Sequence, residues 1–126
     1  MEAIQIQLRN WEGAISEADS YEEAKSMAET LLKDVITSLF NDNLIIPKAM
    51  KCESVDYLVE LPLYSALKIV LRNIMLEERY KKADLAKGLG IPPQRITTFL
   101  NLNKSTNLEF IDRSFKFMKR RISITI

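Results

Sequence analysis

Residues 82–101, KADLAKGLGIPPQRITTFLN, decide the fold of this chain. Two short apolar-periodic runs flank a turn, which predicts a helix-turn-helix: two helices crossing steeply around a tight corner. That packing needs a small residue early in the first helix, and Ala86 supplies one. It needs a positive φ at the corner, which Gly90 adopts without steric cost. Leu85, Leu89, Ile91, Ile96 and Phe99 fall at the inward positions. Pro92 and Pro93 open the second helix, where a missing N–H loses no intrahelical bond. The second helix, Pro93 to Asn101, is left with Gln94, Arg95, Thr97, Thr98 and Asn101 on its other faces. Such side chains reach base edges and phosphates in a major groove. A plain helical hairpin in a protein core also has a glycine between its helices. The combined Ala-to-Gly and Gly-to-Ile spacings and the paired prolines favour a nucleic-acid reader.

Working outward, a long helix is expected from Leu63 to about Glu78, with Ala66, Leu67, Val70, Leu71, Ile74 and Met75 as its apolar positions. After the motif, Thr106-Asn-Leu-Glu109 has the spacing of a capping box and opens a helix carrying Phe110, Ile111, Phe115 and Met118. These aromatics at helical spacing read as core rather than as a base-stacking platform. The tail, RRISITI, alternates: Ile122, Ile124 and Ile126 share one face, Ser123 and Thr125 the other. A strand appended to a helical domain has no internal partner, and open edges recruit other strands. The tail is therefore expected to pair across a homodimer.

The N-terminal half reads differently. Ile4, Ile6 and Leu8 alternate with glutamines, as in a half-buried strand. A short apolar patch around Ala14 and Ile15 suggests a second strand. Ser20-Tyr-Glu-Glu23 is a capping box, and a helix follows to about Phe40 with Ala24, Met27, Ala28, Leu31, Val35 and Leu39 inward. Asn41-Asp-Asn43 ends it, and residues 47–54 look like a loop or linker. Val55, Tyr57, Val59 and Leu61 alternate as a third strand, stopped by Pro62. The expected class is α+β. Residues 1–61 form a small α/β domain, and residues 62–126 form a helical helix-turn-helix domain ending in a dimerising strand.

Composition bounds the chemistry. The chain has 126 residues, 47% of them apolar, enough for a packed core. No apolar run approaches the roughly 20 residues of a membrane span, and the N-terminus does not read as a signal peptide. Cys52 is the single cysteine and there is no histidine, which excludes ordinary zinc sites and imidazole-based catalysis. With only Gly13, Gly88 and Gly90, no glycine-rich phosphate loop exists. No enzyme, no cofactor and no metal are expected, and the location expected is the cytoplasm. The net charge of +1 hides a division. Residues 1–60 hold five Lys/Arg against twelve Asp/Glu, a balance of −7; residues 61–126 hold thirteen against five, a balance of +8. The basic half suits phosphate attraction. The acidic half either attracts a basic protein or merely solubilises a helix.

Five segments, taken in order, are WEGAISEADSYEEA (11–24), FNDNLIIP (40–47), VELPLYSALKIVLRNIML (59–76), ADLAKGLGIPPQRITTFLNL (83–102) and NKSTNLEFID (103–112). As a set they resemble the HicB antitoxins, in the branch with a C-terminal helix-turn-helix. The resemblance implies a reduced ribonuclease-H-like N-terminal unit that covers a HicA-like toxin, a small basic ribonuclease that cuts messenger RNA. It implies a C-terminal domain that binds operator double-stranded DNA and represses its own operon. The family's strand ahead of the one matching Ile4 to Arg9 has no counterpart here, so the sheet is expected to be smaller or completed by another chain. A phage or orphan helix-turn-helix regulator without a toxin partner stays open on that ground; a pure protein-interaction module whose helix-turn-helix has lost DNA is a further alternative. Lys81 stands where the family often has a capping threonine.

The residues expected on DNA are Lys82, Pro93, Gln94, Arg95, Thr97, Thr98, Asn101 and Lys104. Gln94 suits adenine, Thr97 or Thr98 a thymine methyl, and Arg95 and Lys104 phosphates. Arg95 also suits guanine, and Asn101 suits base or phosphate. Lys81 and Lys82 suit phosphates. For each, a solvated helix surface is the plain alternative.

Overall fold

A computed structural model describes residues 4–8, 11, 13, 15–48, 53 and 57–123. The chain is α+β and mostly helical, and it divides into two compact units, Met1–Leu61 and Pro62–Ile126.

In the first unit, β1 (Ile4–Gln7) pairs antiparallel with β2 (Ile15–Ala18), with Ile4 opposite Ala18 and Gln7 opposite Ile15. α1 (Tyr21–Asn41) packs on both strands. Ser20 caps it, its Oγ accepting the Glu23 N–H at 3.2 Å. The Glu23 carboxylate turns back one residue further than a capping box requires, accepting from the Asp19 N–H at 3.2 Å. Asn43 takes φ +57° just past the helix, and the Leu44 N–H bonds back to the Leu39 carbonyl at 2.9 Å, closing the last turn. Ala18 and Ala28 form a small buried cluster, flanked by Ala24, Met27, Leu31 and Val59. Ile36 and Ile46 are also buried.

Among the described residues, the third strand expected at Val55 to Leu61 does not appear. Val55 lies outside the described residues, and Tyr57 to Leu61 carry no strand pairing. Their alternation serves helix packing instead: Val59 joins the alanine cluster, and Lys25 of α1 sits 5.4 Å from the Tyr57 ring centroid. The expected linker at 47–54 falls largely outside the described residues, as does Cys52.

The second unit holds α2 (Leu63–Glu77), α3 (Lys82–Leu89), α4 (Pro93–Phe99) and α5 (Leu108–Phe117). α3 packs against α4 and α5, and α2 against α5. Leu71, Met75, Leu85, Ile96, Leu100 and Ile111 are all but completely buried. Gly90 is left-handed at φ +68° and ends α3, as the corner requires. Gly88 has another role: a Cβ there would fall against the Phe117 ring, so its missing side chain lets α3 meet α5 closely.

Three expectations shift in detail. α4 ends at Phe99 with Leu100 as its cap, so Asn101 lies beyond the helix. α5 is capped by Asn107, whose Oδ1 accepts the Glu109 N–H at 2.8 Å, not by Thr106. Thr106 instead donates to the Phe99 carbonyl at the end of α4. On α2, Val70 is half-exposed while Ser65, Lys68, Ile69 and Arg72 are buried, so the inward face is rotated from the apolar stripe. In the tail, Ile122 and Ser123 carry no strand, and Ile124 and Ile126 lie outside the described residues.

Candidate nucleic-acid interface

α3, its glycine corner and α4 carry exposed polar residues. Lys82 opens α3 and is exposed. Lys81 precedes it as N-cap without a side-chain cap bond, as a lysine must. Asp84 compensates, its carboxylate accepting the Lys81 N–H at 2.8 Å. An acid in the first turn also suits the helix dipole.

On α4, Ile96 and Phe99 are buried, while Pro93, Gln94, Arg95, Thr97 and Thr98 are exposed. Gln94, Thr97, Thr98 and Asn101 stand at i, i+3, i+4 and i+7, which places the three helical ones on a single face. The Thr98 hydroxyl donates to the Gln94 carbonyl at 3.3 Å. Asn101 is exposed past the helix end, and its Oδ1 accepts the Asn103 N–H at 2.9 Å. Arg95 sits on the flank, its guanidinium carbon 5.7 Å from the Phe110 ring centroid. Lys104 is exposed on the following loop. The structure thus gathers Pro93, Gln94, Arg95, Thr97 and Thr98 on one short helix, with Asn101 and Lys104 in the loop that follows it.

That loop is held from below by residues the sequence reasoning missed. Lys68 on α2 is fully buried, and its ammonium donates to the carbonyls of Asn101, at 2.7 Å, and Lys104. One helical turn earlier, Ser65 donates to the Leu102 carbonyl at 3.0 Å. Burial pushes the Lys68 pKa below its ordinary 10.5. Burial likewise lowers that of Arg72, on the same side of α2. Arg113 on α5 closes the other helix, donating to the Leu89 carbonyl at 2.8 Å. The ends of α3 and α4 are therefore tied by side chains from α2 and α5. The available signal was Ser65, Lys68, Arg72 and Met75 at spacings of three, four and three, a mixed stripe that an apolar template passes over.

Comparison with known proteins places the chain. The family model of the HicB-like antitoxin of bacterial toxin–antitoxin systems matches residues 2–70, the first unit and the first half of α2. Antitoxin HicB of Escherichia coli (strain K12) is 28% identical over 113 residues, covering 90% of this chain and 82% of the relative. Antitoxin HicB 2 of Photorhabdus laumondii is 32% identical over 112 residues, covering 88% and 78%. Antitoxin HicB of Pseudomonas fluorescens is 28% identical over 110 residues, covering 86% and 75%. These alignments run well into the second unit, beyond the reach of the family model. No helix among the described residues is long and apolar enough to cross a membrane. On the family match and the extent of these alignments, the chain belongs to the HicB-like antitoxins of bacterial toxin–antitoxin systems.

Proposed function

We propose that this protein neutralises a HicA-like messenger-RNA-cleaving toxin through its first unit and represses its own operon through its second, acting without catalysis of its own. The observation that carries the DNA-binding half is the exposed polar face of α4 above a buried Ile96 and Phe99, next to a left-handed glycine corner. That is the arrangement of a helix-turn-helix, with α4 as the recognition helix in a major groove. The basic balance of residues 61–126 supplies phosphate attraction. The toxin-binding half is supported by the family match over residues 2–70 and by the acidic balance of residues 1–60, suited to a basic partner. The β1–β2 hairpin against α1 is read as a reduced ribonuclease-H-like unit. The Ile122, Ile124 and Ile126 tail is read as the seam of a cytoplasmic dimer.

Roles on DNA follow from the bonds already in place. Gln94 is free to read adenine bidentately. Thr98 offers its methyl group, because its hydroxyl is engaged by Gln94. Asn101 has its carbonyl committed to Asn103, which favours a phosphate contact over a bidentate adenine contact. Lys82 and Lys104 meet phosphates.

A gel-shift titration with the duplex upstream of the protein's own coding region tests this. Gln94→Ala should weaken that duplex by roughly 1–3 kcal/mol and relax one base position. Equal losses on a scrambled duplex would reject base reading. Co-expression with the HicA-like protein of the neighbouring gene tests the other half: a stable complex and restored growth are expected. Neither appearing would leave the DNA-binding regulator without a toxin partner.

A further inference from the structure

We propose that Arg95 and Arg113 form a single phosphate clamp on the flank of α4, mounted on the Phe110 ring, and that Arg95 therefore sets affinity rather than base sequence. This deepens the DNA-binding reading and rests on it. It assigns Arg95 to phosphate, where the sequence leaves phosphate and guanine open.

The geometry starts in the core. Phe99 is buried, and the Phe110 ring stands edge-on to it at 5.9 Å between centroids. The Phe110 ring is thereby anchored, and two guanidinium groups use it. Arg95 of α4 lies 5.7 Å from its centroid and Arg113 of α5 lies 6.0 Å from it. Both residues are exposed, and among the described residues the ion pairs near α5 involve Lys116 with Asp112 and Arg120 with Glu78, not these two arginines. A guanidinium packed on an aromatic ring keeps its N–H edges free for a planar, two-pronged anion contact. Arg113 spends one N–H on the Leu89 carbonyl and keeps the others.

Position decides which part of the DNA these groups meet. Gln94, Thr97 and Thr98 line the face of α4 that enters the groove, and Arg95 is turned about 100° from Gln94 around the helix. A helix with its side chains is about 10–12 Å across and a major groove about 12 Å wide. The flanks of an inserted helix therefore face the phosphate walls, not the base edges. Arg113 belongs to the next helix and approaches the same Phe110 ring as Arg95. Two like charges share one ring here, an arrangement that an anion relieves.

Fluorescence anisotropy with two duplexes, one carrying the DNA upstream of the protein's own coding region and one scrambled, tests the clamp across a salt series. Arg95→Gln and Arg113→Gln should each weaken both duplexes alike, by roughly 5–10-fold at 0.1 M salt. Each should lower the slope of log affinity against log salt by about 1 and leave the ratio between duplexes unchanged. Arg113→Gln keeps a donor for the Leu89 carbonyl, and circular dichroism confirms that it folds. Arg113→Lys should restore the salt slope, because a point charge suffices for counterion release. Phe110→Leu should weaken both duplexes while leaving their ratio intact. An Arg95→Gln loss confined to the upstream duplex overturns the proposal, as does an Arg113→Gln variant with wild-type affinity and slope. A wild-type protein that binds neither duplex at low salt overturns the DNA-binding reading itself, and the clamp with it.

Discussion

The two units differ in how far some of their helix ends reach for partners. α1, in the first unit, is closed by its own neighbours in sequence: Ser20 caps it, Glu23 bonds back to Asp19, and Asn43 turns the chain out. In the second unit, α2 and α4 start at prolines without a side-chain cap. Several of their loose ends are tied from far along the chain. Lys68 and Ser65 hold the carbonyls of residues 101, 102 and 104; Arg113 holds Leu89; Arg120 on the exit from α5 pairs with Glu78 at the end of α2. Local caps make a helix stable wherever it sits. Distant caps make the position of one helix depend on another, as the proposed groove-reading surface would require.

The sharpest way to break this contrast is to remove the distant tie. Lys68→Met keeps the buried volume but frees two loop carbonyls, and should cost about 2 kcal/mol in urea unfolding, the lost charge-assisted bonds being partly offset by relief of a buried charge. The same pair of proteins gives a pH signature. The Lys68 pKa in the folded state lies below its ordinary 10.5, so between the two values the unfolded chain binds more protons. The cost of the buried charge is then present below the folded pKa and lifts as pH rises through it toward 10.5. The stability of the wild type relative to Lys68→Met should therefore grow over that range. A constant difference would mean that the ammonium is not desolvated.

Smaller effects sharpen the picture. Gly88→Ala drives a methyl into the Phe117 ring. Overpacking should outweigh the gain in helix propensity and leave about 1 kcal/mol of destabilisation by thermal unfolding. Ser20→Ala should cost a similar ~1 kcal/mol, visible as loss of protection at the amides of the first turn of α1 alone. A loss that spreads into the second unit would contradict the local character of that cap. The smallest change runs the other way. Arg79 and Lys119 are left-handed, at φ +61° and +59°, just past α2 and α5. Arg79→Gly and Lys119→Gly should each stabilise by roughly 0.5 kcal/mol, because glycine holds that conformation without a Cβ clash.

Much of the architecture was legible in local pattern. β1, the capping serine of α1, the Asn-rich stop after it and the glycine corner of α3 were all readable because each depends on residues within one turn of each other. Three readings failed for a common reason. The alternation at Tyr57 to Leu61 looked like a strand, yet within it Val59 packs against the Ala18 and Ala28 cluster. Thr106 looked like a helix cap, yet its hydroxyl reaches back seven residues to Phe99. The inward face of α2 looked purely aliphatic, yet it carries Ser65, Lys68 and Arg72. In each case the residue's partner lies on another element, and periodicity records only that a side chain turns inward, not what it meets.

By itself, the amino-acid order determined the helices, the glycine corner, the division of charge and the polar residues that α4 displays. These follow from backbone sterics, propensity and spacing, all short-range. Only the tertiary structure decided that a buried lysine would hold the loop after α4, and that one phenylalanine ring would gather arginines from two helices. Both arrangements join residues that no local periodicity links, so they exist only once packing has brought their helices together.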